Sequence, residues 1–539
     1  MPRLYNAAVH FIDRHIAAGR GDRVAFVEEG RATTYAELAD RTSRCATAIR
    51  VLGVMPEQRV MLCLHDTADF AAIFFGAIRA GAVAVPVNTL LTTEDYAFML
   101  SDSRARLLFV SDALVDKVAP ALSRMTKPPK VVVVKSPAAV PAATTDDAEA
   151  ESTKRGAQAG ETRVSARAVY LELEAVLAAS KPSSEVAQTT ADDVAFWLYS
   201  SGSTGPPKGA IHLHSHLVQT AVLYGQGVLG IREDDLVFSA AKLFFAYGLG
   251  NSLTFPLYVG ATSVLMAERP TPAAVMRTLS KFEPSIFCGV PTLFAAILAD
   301  RSLSKARGSS KLRISISAGE ALPKHTGEKW RDRFRTDILD GIGSTEMLHI
   351  FLSNRPGDVR YGTSGKPVPG YDVKLVGDDG EPTPDGQEGS LWVRGPSSCV
   401  AYWNQREKSL ATFHGPWTRT GDRYVRDSDG YYTFAGRSDD MLKVGGIWVS
   451  PFEVESALSE HDAVVEAAVV GHPDGEGLVK PRAFVVLAKG TTRTDALVLE
   501  LQAFVKKKLA PYKYPRWIEF TKELPKTATG KIQRFKLRA

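Results

Sequence analysis

Residues 199–209 read YSSGSTGPPKG and overlap the end of the strand-like run AFWLYSS at 195–201. Small hydroxyl residues and glycines leave the backbone amides of this stretch uncovered just where a strand ends. Such amides, helped by Ser and Thr hydroxyls, can close on an anion as a concave nest, and phosphate is the anion that fits. The stretch is not an ordinary P-loop, because Lys208 follows Pro207 rather than Gly and neither Ser nor Thr comes next. No helix can therefore begin where that motif needs one. Ser200, Ser201, Gly202, Ser203, Thr204, Gly205 and Lys208 are the candidate phosphate ligands. Taken alone, the segment reads equally well as a flexible Gly/Ser turn, so its surroundings decide.

Upstream, strand-like runs at RVMLCL, AVAVPV, RLLFV and KVVVV are separated by helix-length segments. That is the pattern of a parallel sheet covered by helices, hence an α/β layered core. Thr34 and Glu37 have capping-box spacing ahead of an amphipathic stretch that stops at Gly53. Downstream, DLVFSA, ATSVLM, SIFCGV and LRISISA continue the alternation to about Glu346. From about 360 to 435 short strands broken by Gly, Pro and Asp predict a β-rich subdomain. After Gly436 roughly 100 residues alternate again, enough for a separate α+β unit. The expected organisation is an N-terminal domain over 1–436, with the β-rich subdomain inside it, and a mobile C-terminal domain over 437–539. Residues 136–166 hold almost no large apolar group, so burial cannot offset their ordering entropy, and they read as a flexible insertion. No internal repeat is visible.

The chain has 539 residues, 45% hydrophobic and 23% charged, ordinary values for a folded protein of more than one domain. Charged residues and two histidines interrupt the N-terminus, so no signal-peptide core can be drawn. AAIFFGAI at 71–78 falls short of the ~20 residues that span a bilayer. A cytoplasmic location without membrane or nucleic-acid partners is expected. Cys45, Cys63, Cys288 and Cys399 lie far apart and read as buried reduced thiols. The net charge of +5 is unevenly spread: from Val505 to Ala539 eleven Lys and Arg stand against two Glu, leaving −4 for the remainder. Such a tail is either a solvated basic face or a cover for a polyanion.

Further stretches follow the first in order: Gly319-Glu320-Ala321, DGIGSTE at 340–346, WTRTGD at 417–422, GRSDDMLKVGG at 436–446 and PKTATGK at 525–531. Together these six resemble the signatures of the adenylate-forming superfamily, which includes acyl-CoA synthetases, firefly luciferase and the adenylation domains of nonribosomal peptide synthetases. The resemblance spans nearly the whole chain. It implies a reaction in which a carboxylic acid, ATP and coenzyme A are the small-molecule partners, with Mg2+ on the phosphates, and it allows a homodimer. A carboxylate is a poor electrophile, so one of its oxygens must become a leaving group before a thiol can attack. Adenylation does this, and the protein must supply positive charge and position rather than a nucleophile.

The resemblance implies the following roles. Lys531 is the catalytic lysine, Thr345 bonds the α-phosphate and Glu346 orients Mg2+. Asp422 accepts bonds from the ribose hydroxyls, with Arg437 nearby. Gly319, Glu320 and Ala321 form the adenine turn, with Asp340 toward the exocyclic amine and Gly341 and Ile342 beside the base. Ile342 stands where the broader family usually has an aromatic residue. That departure, with DGIGSTEMLHIFLSN and KLFFAYGLGNSLTFPLYVGAT, resembles the benzoate-type CoA ligases. Phe245, Ala246, Tyr247, Gly343 and His349 then line an acid pocket, with Gly341 and Ile342. Asp439 is the hinge, and rotation brings Lys443, Gly445 and Gly446 to the path of the CoA thiol. His212, His214 and His216 alternate as strand residues would, but no carboxylate or thiol completes a metal set, and a helix leading off at His216 is the milder reading. Other readings are an adenylating enzyme with a cyclic or aliphatic acid or a free-standing carrier protein as acceptor, and a nucleotide-binding protein without activity. The chain ends eight residues after Lys531, so no fused carrier domain is expected.

Overall fold

A computed structural model describes residues 4–137, 168–200, 206–300, 303, 308–438, 440–444, 447–475, 478–526 and 532–538. The strands of the α/β core divide between two large sheets. The seven-stranded sheet runs, in spatial order, Tyr170–Glu172, Lys130–Val134, Leu107–Ser111, Arg59–Cys63, Val83–Pro86, Val194–Ser200 and Lys208–Leu213. It is parallel except for the last strand, which folds back on Val194–Ser200. The nine-stranded sheet runs Lys366–Pro367, Ile350–Ser353, Ile338–Gly343, Ile314–Ser317, Ile286–Gly289, Leu236–Ser239, Thr262–Val264, Val24–Glu28 and Arg31–Thr34. The strand pattern does not foretell that Val24–Glu28 crosses to this second sheet, because pairing depends on partners more than 200 residues away.

Helices Tyr35–Val51 and Ala68–Arg79 share one core with both sheets. Phe70, Phe74 and Phe75 belong to the same buried cluster as Phe196 of the seven-stranded sheet and Phe26, Ile286 and Leu339 of the nine-stranded one. Ala68–Arg79 is apolar nearly all round, with every residue but Asp69 buried, as expected of a helix covered on all sides. The Thr34–Glu37 capping box is formed: Glu37 N–H donates to Thr34 Oγ1 at 3.2 Å and Thr34 N–H to Glu37 Oε2 at 2.7 Å. Among the described residues no helix is long and apolar enough to cross a membrane. The four cysteines are free and buried.

The Gly- and Asp-rich stretch forms a five-stranded sheet of Asp372–Val376, Glu388–Arg394, Phe413–His414, Trp417–Arg426 and Tyr432–Arg437. Beyond it, Val464–Pro473, Val479–Leu487 and Trp517–Thr521 form a three-stranded sheet that shares its own core with helices Pro451–Ser459 and Asp495–Lys508. Much of the basic tail is neutralised inside this unit. Lys513 pairs with Glu453, Lys526 with Glu466, Arg534 with Glu455 and Asp440, and Arg538 with Asp440. Residues 138–167, most of the expected insertion, lie outside the described residues.

Candidate functional site

The phosphate-loop stretch joins two antiparallel strands, with Ser200 opposite Lys208 in the hairpin register. Ser201, Gly202, Ser203, Thr204 and Gly205 lie outside the described residues. The return strand is zipped to a distant segment. Val400 N–H donates to Ile211 O at 2.9 Å, Ile211 N–H to Ala401 O at 3.0 Å and Trp403 N–H to Gly209 O at 2.8 Å. The same segment grips the turn after Ile338–Gly343: Ser397 Oγ donates to Met347 O at 2.7 Å and Cys399 N–H to Glu346 O at 2.7 Å. Hairpin and GSTE turn are thereby fixed to one another.

Tyr402, which the sequence reading did not single out, links their side chains. Its hydroxyl donates to Glu346 Oε1 at 2.7 Å, and Lys208 Nζ lies 3.5 Å from that hydroxyl and 4.6 Å from the ring centroid. Burial and the Glu346 carboxylate both push the Tyr402 pKa far up, so the hydroxyl keeps its proton and remains a donor. Thr345 and Glu346 are half-buried. Among the described residues no three His, Cys, Asp or Glu side chains gather into a metal cage. A single carboxylate such as Glu346 beside the expected phosphate-binding stretch has the chemistry that suits Mg2+, which is typically held by one or two carboxylates, substrate phosphates and water.

Gly319 follows strand Ile314–Ser317 with φ of 99°, in the left-handed region open to glycine, and Glu320 and Ala321 come next, half-buried. Asp340 sits in the neighbouring strand, 4% exposed. Its Oδ2 accepts Leu322 N–H at 3.4 Å, while Oδ1 is buried without a hydrogen-bond partner. Burial pushes this carboxyl up to about 8. A buried oxygen left open beside the turn suits the hydrogen-bonding edge of adenine. Asp422 and Arg437 face each other across two strands, with Arg437 Nη1 donating to Asp422 Oδ1 at 3.1 Å. Asp439, Gly445, Gly446 and Lys531 lie outside the described residues, and Lys443 is exposed on strand Leu442–Val444. Lys526 and Ile532, which bracket Lys531, pair as an isolated bridge, and Ile532 N–H donates to Glu320 Oε1 at 3.2 Å.

His349 is 3% exposed and centres an aromatic cluster. Phe255, Tyr224 and Tyr247 place their rings 4.5, 5.2 and 5.7 Å from its own. Its Nε2 donates to Tyr247 O at 3.3 Å, and Tyr247 Oη donates to Ile316 O at 3.0 Å. Burial pushes His349 down to about 3, so it stays neutral. Two π-helical turns, Ala221–Gln226 and Gly250–Thr254, bring Tyr224 and Gly250 to it. A Cβ on Gly250 would lie 2.4 Å from His349 Cδ2, so only glycine admits the imidazole here. Gly343 meets the His349 carbonyl equally closely, with a Cβ position 2.6 Å from that oxygen. Ile342 is half-buried between Gly341 and Gly343, and Phe245 sets its ring 4.5 Å from Phe244, just before helix Ala246–Leu249. Of the residues missed, Tyr224 carries no motif signal, Phe255 lies inside the run KLFFAYGLGNSLTFPLYVGAT without being singled out, and Tyr402 stands in a Tyr-Trp pair.

The three histidines do not share a strand face, because the strand ends at Leu213 and helix His214–Thr220 begins at once. His212 Nε2 lies 2.8 Å from Thr345 O, and His214 Nδ1 accepts Ala7 N–H at 3.1 Å.

The model for the AMP-binding enzyme family matches residues 13–403, and that for the AMP-binding enzyme C-terminal domain matches residues 453–531. A benzoate–CoA ligase of Thauera aromatica is 54% identical over 541 residues, covering 100% of this chain and 97% of that protein. A 4-hydroxybenzoate–CoA/benzoate–CoA ligase of Rhodopseudomonas palustris is 47% identical, covering 99% and 94%. Among solved structures, a benzoate CoA ligase from Burkholderia xenovorans superposes with a TM-score of 0.88 at 49% identity, covering 99% of this chain and 100% of that one. An anthranilate CoA ligase in complex with anthranoyl-AMP gives 0.89 at 42%, covering 100% and 97%.

Proposed function

The chain belongs to the AMP-binding enzyme family, and from that premise we propose that it is an AMP-forming ligase converting benzoate to benzoyl-CoA through benzoyl-adenylate. The observation that carries this reading is the full-length 54% identity to a benzoate–CoA ligase.

In the first half-reaction a carboxylate oxygen attacks the α-phosphorus of ATP and the bond to pyrophosphate breaks. In the second the CoA thiolate attacks the acyl carbon and AMP leaves. On this reading Ser200 to Gly205 and Lys208 hold the phosphates, and Thr345 bonds the α-phosphate. Glu346 would hold Mg2+, which supplies charge neutralisation on the leaving pyrophosphate. Tyr402 keeps that carboxylate aimed. Asp340 and the turn Gly319–Ala321 receive the adenine, and Asp422 with Arg437 receives the ribose. The benzoate ring enters the wall built by Tyr247, Ala246, Phe245, Gly341, Ile342, Gly343 and His349, where a neutral imidazole and aromatic rings suit a flat apolar acid.

Lys531 approaches as a mobile ammonium that bridges the two reactant anions. The Ile532–Glu320 bond supports this, since it brings the flank of the lysine loop to the adenine turn. The mobile domain over 437–539, turning at Asp439, then exchanges Lys531 for Lys443, Gly445 and Gly446 at the thiol path. Incubation with ATP, Mg2+, CoA and a panel of acids is the test. Benzoate should yield AMP, pyrophosphate and benzoyl-CoA with the highest kcat/KM, and an aliphatic acid turned over faster would overturn the assignment.

A further inference from the structure

His212 lies on the return strand of the phosphate-loop hairpin, fully buried, its ring stacked on Phe196 at 5.0 Å. The Thr345 carbonyl 2.8 Å from its Nε2 can only accept, so that nitrogen carries the proton. Burial holds His212 down at about 4 and His216 well below its ordinary value, so both rings are neutral near pH 7. His212 Nδ1 is therefore bare. It faces His216 Nδ1 at 3.1 Å. The same His216 Nδ1 accepts the Leu213 amide at 3.3 Å. The Thr345 carbonyl thus fixes the tautomer of His212.

The His212–Thr345 bond spans a sequence separation of 133 residues and ends on the peptide between the two residues assigned to the α-phosphate and the metal. We propose that His212 is a positioning residue that ties the return strand Lys208–Leu213 to the Thr345–Glu346 turn, holding the Thr345 and Glu346 side chains in place for adenylate formation. The inference rests on the adenylate-forming reading above. It gives a task to a histidine that a metal reading would have used differently.

Glutamine and asparagine separate this role from mere space filling. A Gln amide nitrogen reaches about where Nε2 stands and can still donate to the Thr345 carbonyl, whereas an Asn amide reaches only the position of Nδ1. Both variants are polar and similarly tolerated by the core. In benzoate-dependent pyrophosphate exchange, His212→Asn should lose about 10–100-fold in kcat and need more Mg2+ for half-maximal rate, the scale of losing a partner that orients a metal ligand. His212→Gln should stay within about 3-fold of the parent. Equal rates and equal Mg2+ requirements for Asn and Gln, whether both high or both low, would overturn the proposal. The dissociation constant of Mg-ATP without any acid carries the same Asn-to-Gln comparison, so the test stands even if benzoate is not the acid.

Discussion

The two halves of the site are held by different forces. On the side proposed for the nucleotide, directional bonds fix one element to another: His212 to the Thr345 carbonyl, Tyr402 to Glu346, Arg437 to Asp422. On the side proposed for the acid, His349 is fixed mainly by the volume of Phe255, Tyr224 and Tyr247 and by the missing side chain of Gly250. Charge must be met at defined points during phosphoryl chemistry, and bonds with direction do that. A benzene ring asks only for a slot of the right shape, which packing supplies. Substitutions should therefore separate into those that change adenylation rate or Mg2+ dependence and those that change acid affinity alone.

The largest separation is expected from Lys531→Ala. Removing the charge proposed to bridge the reactants should lower pyrophosphate exchange by about 100–1,000-fold while benzoyl-CoA formation from supplied benzoyl-adenylate stays near parental. Parallel loss in both half-reactions would remove Lys531 from its role. Next is Gly250→Ala, whose new methyl must displace the imidazole of His349. The KM for benzoate should rise by about 10-fold or more with the KM for ATP unchanged, and a rise in both would mean the two halves are not separable. Tyr402→Phe removes one bond to Glu346 and should cost about 10-fold in apparent Mg2+ affinity with benzoate KM unaltered, read from Mg2+ titrations of exchange.

The smallest effect is on stability. Burial raises the Asp340 carboxyl to about 8 from an ordinary value near 3.8, so between those values the folded protein holds a proton that the unfolded chain has released. Stability then falls as pH rises through this window. Without nucleotide, the Tm of Asp340→Asn relative to the parent should climb from pH 5 to pH 8 and level off above. A constant difference across pH would contradict the burial argument.

The side proposed for the nucleotide carries the stronger motif signal in sequence, for a physical reason. Backbone amides around a phosphate require glycine and small hydroxyls, and a left-handed turn such as Gly319 favours glycine, so residue type is tightly constrained there. The strands were legible too, since runs such as KVVVV and RLLFV have nowhere to go but a buried sheet. What could not be read were the partners. Nothing local distinguishes Tyr402 from any tyrosine near a Trp; only the zipper of residues 397–403 along the hairpin gives it Glu346. Tyr224 and Phe255 look like ordinary core until the π-helical turn Ala221–Gln226 and the start of helix Phe255–Val259 bring them to His349. The histidine alternation failed as a strand pattern because the strand stops at Leu213. The basic tail reads as one surface charge, yet Glu453, Glu455 and Glu466 absorb much of it.

Isotope exchange between pyrophosphate and ATP, run with benzoate and Mg2+ but without CoA, tests the central claim most directly. Benzoate-dependent exchange is predicted, because the adenylate forms reversibly before any thiol is needed. Exchange that appears only when CoA is added, or none with any carboxylic acid, would contradict the account.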